Sequence, residues 1–146
     1  MKKHPVSILV ISFLLLLTGT TKAQEKTIRL SHKTCAGVVI KILESSPRFK
    51  QLTKNLLAVV KKNNGTGYGV MLDASPNPGR DEANAQSDNY ELSLHESYPD
   101  KITNIAHFEF NPQTKLLYEI NEADPDKPKL ISFDKKLLVE FKKVCK

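Results

Sequence analysis

The hydrophobic period of this chain changes at Gly65. Before it, Phe49, Leu52, Leu56, Val59 and Val60 recur at the spacing of one helix face. After it, Tyr68, Val70 and Leu72 stand at alternate positions, as do Tyr90, Leu92 and Leu94, then Ala106, Phe108 and Phe110, then Leu116, Tyr118 and Ile120. Alternation is the mark of a half-buried strand. Helical period followed by four tracts of period two specifies helices laid on a sheet. The last three tracts are joined by the turns Ser97-Tyr98-Pro99-Asp100 and Asn111-Pro112-Gln113-Thr114. Connections so short make the three strands antiparallel neighbours. The expected fold class is α+β, with N-terminal helices packed on a four-stranded antiparallel sheet and a short C-terminal helix.

The helix signals come in chain order. Thr34 is placed to cap a stretch, Cys35 to Glu44, whose apolar residues suit either a helix or a buried strand. Its helical continuation favours a helix. Ser46 followed by Pro47 is a capping serine with proline at the first helical position, opening a helix over residues 47–62. Asn63-Asn64-Gly65 ends it, with Gly65 as the C-terminal cap. Residues 75–88 and 121–129 read as polar loops. Ser132 is the expected cap of a last helix in which Phe133, Leu137, Phe141 and Val144 share a face. The buried sheet face should carry Tyr90, Leu92, Leu94, Phe108, Phe110, Leu116 and Tyr118. This order and size is similar to cystatin-like architectures, a likeness of shape that implies no function.

Residues 1–23 have the three zones of a signal peptide: basic Lys2-Lys3-His4, an apolar run from Val6 to Leu17, and a small, polar end at Ala23. The run is too short for the ~20 residues that span a bilayer. Removal of the signal leaves one domain over 24–146, with no stable membrane span expected. Three lysines and no acid lie in the signal, so the formal net charge drops from +6 to +3 without it. That, with three arginines in all, argues against nucleic acid as a partner. Two cysteines remain, Cys35 and Cys145. In an oxidising compartment they are expected to pair, while His32 upstream of Cys35 leaves a catalytic thiol as the rival reading.

Candidate sites come from the strand register. Pairing about the 97–101 turn sets Ser93 opposite His107 and Glu91 opposite Glu109. His95 falls on the same face, and Glu119 is expected to join from the fourth strand. Glu91, His95, His107, Glu109 and Glu119 thus form a candidate ligand-contact face, of residue types that also serve zinc binding or acid–base chemistry. The outward face of an antiparallel sheet carries such residues by default. A second candidate is the side-chain-poor stretch Gly65, Gly67, Tyr68 and Gly69, open to a partner's backbone. It runs from helix into strand, the wrong direction for a phosphate loop. No cofactor is expected.

The stretches Leu94-His95-Glu96-Ser97-Tyr98-Pro99-Asp100 and Phe108-Glu109-Phe110-Asn111-Pro112-Gln113-Thr114-Lys115 resemble small exported proteins of Bacteroidetes, as does the Ala23-Gln24 junction. The resemblance implies export and no particular activity. The leading expectation is a secreted or periplasmic, non-enzymatic binding or inhibitor-type domain with a protein or glycan ligand. A small hydrolase using the polar sheet face and a structural envelope accessory protein are the alternatives.

Overall fold

The structure is a computed structural model that describes residues 34–145. The signal segment 1–23 and the polar lead-in to residue 33, His32 included, lie outside the described residues. In chain order the elements are α1 (Cys35–Ser45), α2 (Pro47–Thr53), α3 (Leu56–Lys62), β1 (Gly67–Ser75), α4 (Pro78–Asp81), β2 (Ala85–Gln86), β3 (Tyr90–Ser97), β4 (Ile102–Asn111), β5 (Leu116–Ile120), β6 (Lys129–Ile131) and α5 (Leu137–Val144). The fold is α+β. No described helix is long and apolar enough to cross a membrane.

The sheet has six strands rather than four, in the order β2-β1-β3-β4-β5-β6, and it is mixed. β2 runs parallel to β1; every other pair is antiparallel. The two strands that the sequence hides are the edge pieces β2 and β6. They span two and three residues, too few to show a period. β2 lies within the expected loop 75–88, and β6 starts at the last residue of the expected loop 121–129.

The caps explain where helices start. The Thr34 side chain accepts a hydrogen bond from the Gly37 N–H, and Ser46 accepts one from the Phe49 N–H. The expected single helix over 47–62 is two helices. Asn55 takes a left-handed conformation (φ 65°) between α2 and α3, and asparagine is one of the few residues that tolerate it. Gly65 is not the cap: Asn64 holds the left-handed turn (φ 63°), while no described glycine has positive φ. Gly65 is required by packing instead. A Cβ there would fall 2.3 Å from Val60 Cγ1 and 3.0 Å from the carbonyl oxygens of Val60 and Ser97. Ser132 caps nothing. α5 follows Lys136, which makes no side-chain cap bond, and Asp134 instead fixes the turn before it, accepting from the Lys136 N–H through its side chain and from the Leu137 N–H through its carbonyl.

The helices cover one face of the sheet. Val38, Val39, Ile42 and Leu43 of α1 and Val60 of α3 are buried with Leu92, Leu94, Phe108, Phe110 and Leu117 of the strands. Tyr90, Phe110, Phe133 and Phe141 form an aromatic cluster with ring centroids 5.1–6.4 Å apart. Cys35 and Cys145 are bridged, with Cα atoms 4.9 Å apart across 110 residues. The bridge joins the start of α1 to the end of α5, and Lys41 meets Glu140 at 2.8 Å further along the same antiparallel helix pair.

The register of β5 corrects the expected core. Phe110 pairs with Leu117 and Phe108 with Glu119. Leu117 is therefore buried, while Tyr118 and Ile120 point to the outer face. Glu119 points to the helix side. A shift of one residue exchanges every side chain between faces. Two features lock this parity: Asn111 Oδ1 accepts from the N–H groups of Gln113 and Thr114, and Lys115 is left-handed (φ 61°).

Candidate functional site

The outer face of the sheet is built by β1, β3, β4 and β5. Ser93 pairs with His107 and Glu91 with Glu109, so these four side chains share that face, as expected. Glu119 does not join them. On the helix side it receives Arg48 of α2, whose Nε is 3.0 and 2.9 Å from the two carboxylate oxygens and whose Nη2 is 2.7 Å from Oε1. This forked geometry is the strong form of an ion pair. Glu119 raises the Arg48 pKa, chiefly through the hydrogen bond, against the lowering by burial.

Two bulges interrupt the alternation of the strands that build this face. In β4 the register shifts beyond Ala106, so His95 faces Asn104 and Ile105 is the extra residue. In β1 it shifts between Leu72 and Ala74, making Asp73 the extra residue and turning it toward Glu91. His95 also pairs with Gly69. A Cβ on Gly69 would sit 3.3 Å from Cε1 and 3.4 Å from Nε2 of His95. The glycine thus makes room for the imidazole, and the two sequence candidates touch at this point. Gly65 is buried, which leaves Tyr68 as the exposed large side chain of the glycine-rich stretch. Burial lowers the His95 pKa, opposed by the Asp73 charge and the Ser93 backbone. Its Nδ1 is buried near that backbone without completing a hydrogen bond.

Two adjoining clefts open here, one on the outer face and one that reaches the sheet edge, where Glu119 and Ala106 also line it. One, of about 660 Å³, is lined by Asp73, Glu91, His107, Glu109 and the 121–128 loop through Glu122 and Pro125. The other, of about 470 Å³, runs from His107 to Asn104 and Ile105 and ends at Lys127 and Lys129. They share His107, Ile120 and Glu122. Glu122 Oε1 lies 2.8 Å from His107 Nε2, and Asn104 Nδ2 lies at 3.5 Å from the same nitrogen. The shorter contact assigns the Nε2 proton to a bond donated to Glu122. Burial raises the Glu109 pKa and the facing Glu91 raises it further, against a hydrogen bond from Asn89.

Asp73 and Glu122 were not among the residues expected on this face. The first is placed by a bulge, which leaves no trace in periodicity, and the second by a loop that folds back over β5. Among the described residues, no group of three histidine, cysteine, aspartate or glutamate side chains is arranged to hold a metal ion. Ser93 lies directly opposite His107, yet its buried hydroxyl has no hydrogen-bond partner. A nucleophile–base contact is therefore not formed.

A second polar cluster sits behind the sheet. The Tyr90 hydroxyl is 2.8 Å from Sγ of Cys35 and must be the donor, since a bridged sulfur carries no proton. Burial, then the Asp81 charge, pushes the Tyr90 pKa up to about 12. Asp81 is itself fully buried, close to Tyr90 and with Arg80 Nε at 3.6 Å, its oxygens without hydrogen bonds of good geometry. Compared with known proteins, the chain matches no family model, no curated protein and no solved structure.

Proposed function

We propose that this is an exported binding domain that meets its ligand on the outer face of its sheet. The observation that carries the reading is the strand register, which gathers Glu91, His107, Glu109 and the bulged Asp73 around one open cleft that Glu122 of the 121–128 loop also lines. The helices leave that face uncovered, since their buried apolar residues pack on the other side. The signal-like start of the chain and the Cys35–Cys145 bridge support export. A protein that this domain inhibits is one form of the ligand, and a glycan is another.

A comparison of the wild-type protein with a His107→Ala/Tyr118→Ala variant tests the reading. Both are screened against a glycan array and against proteins from envelope and secreted fractions, with melting curves to verify that both are folded. A ligand retained by the wild type and lost by the folded variant is the expected result. Equal retention by both, or retention of nothing by the wild type, would overturn it.

A further inference from the structure

We propose that the groove on the outer sheet face takes an extended basic segment of a partner polypeptide, its cationic side chains set between Glu91 and Glu109. This rests on the reading of that face as the binding surface and adds the chemistry of the ligand. Glu91 and Glu109 are directly paired across β3 and β4. Like charges in that relation oppose folding. Asp73 and Glu122 line the same cleft, and among the described residues no lysine or arginine does. A chain with an excess of bases thus places four acids round one hollow, and the one basic side chain in its lining, His107, is already bonded to Glu122. Charge complementarity points to a cationic ligand.

A second observation is independent of the acids. Ser93 lies on this face between Glu91 and His95, fully buried, with a hydroxyl that has no partner. A buried hydroxyl left without a partner is costly, and a ligand that hydrogen-bonds it removes the cost.

The groove's length selects a polypeptide over a small amine. The second cleft continues from His107 to Asn104 and Ile105, along the side of β4 that β5 does not reach. β5 pairs with β4 from His107 onward, so among the described residues no strand covers positions 102–106 on that side. Ile102 and Ile105 are exposed there. Backbone groups at an open edge accept an extended chain as an added strand. Such a chain lays its cations among the acids at one end and apolar side chains on Ile105 at the other. Lys127 and Lys129 at that far end turn away a second cation.

The test uses the disulfide-bonded protein exported from expressing cells. The probe is a fluorescent peptide of about ten residues, long enough to run the length of β4, with lysine alternating with valine in the half meant for the acids and serine alternating with valine in the half meant for Ile105. A glutamate–valine peptide, an alternately N-methylated lysine–valine peptide and spermine are the comparisons. Fluorescence polarisation should show binding of the lysine–valine peptide only. Binding should fall at least tenfold in Glu91→Gln/Glu109→Gln, weaken in about 0.3 M salt, and survive Asp100→Asn in the exposed turn. N-methylation, which removes backbone donors, should weaken it as well. Urea denaturation of the double variant, expected to be no less stable than wild type, separates lost affinity from lost folding. Spermine displacing the peptide at equal affinity, with no effect of N-methylation, overturns the polypeptide assignment. Failure of the peptide to bind, or indifference to the double variant, overturns the acidic site. If the His107/Tyr118 variant still loses some other ligand, the face remains a binding surface and only this inference falls.

Discussion

Glu109 shows how a single carboxylate reports on the outer face. Its pKa lies above the ordinary 4.5 because it is partly buried and faces Glu91. The folded state therefore holds this proton more tightly than the unfolded chain does. The stability it contributes is complete below the ordinary carboxylate range and is lost as pH rises through the raised value. Glu109→Gln should accordingly raise stability at pH 7 by about 0.2–1 kcal/mol, the usual cost of like charges facing across a sheet. At about pH 4 the gain should shrink toward zero, since Glu109 is by then largely protonated. Urea denaturation at the two pH values measures this. Of the five candidates on this face, four were legible as residues because β3 and β4 are joined by a short turn. Glu119 was not, because Leu116 and Leu117 are both apolar and offer either parity for β5.

Among the elements, α2 and β5 are held together by one ion pair. Arg48 and Glu119 are each largely shielded from water, at 29% and 16% side-chain exposure. Removing either leaves the other charge in a poorly solvated place. Arg48→Ala and Glu119→Gln should each cost about 1–3 kcal/mol, the range for hydrogen bonds to charged groups. In a double-mutant cycle by urea denaturation the two costs should be strongly non-additive. Additive costs would mean that the pair does not couple the helix to the sheet. The starts of α1 and α2 were readable, since Thr34 and Ser46 announce them. The break at Asn55 was not, because Phe49, Leu52, Leu56 and Val60 keep helical spacing across it. The bulges at Asp73 and Ile105 were hidden for a related reason: one extra residue in a strand changes its aim without changing its composition. The first of these bulges is the one that places Asp73 in the site.

The whole molecule is closed by its bridge. Cys35→Ser/Cys145→Ser should lower stability by about 2–5 kcal/mol, the range for loss of a native disulfide from a small domain. Urea denaturation of the folded variant, compared with wild type under oxidising and reducing conditions, measures the difference. The pairing was legible from compartment and count alone; the α1–α5 contact that it secures became clear only once Lys41 and Glu140 were seen to meet along the same pair. The bridge also decides what tension can do to this protein. A pull applied at residues 34 and 145 is borne by a covalent link between Cα atoms 4.9 Å apart, and the sheet between them carries almost none of the load. Once the link is reduced, the same pull can draw out the intervening chain, a lengthening of roughly 370 Å for about 110 residues at full extension. Oxidised, the domain is a nearly inextensible knot in any tether that includes it; reduced, it is a long reserve of slack.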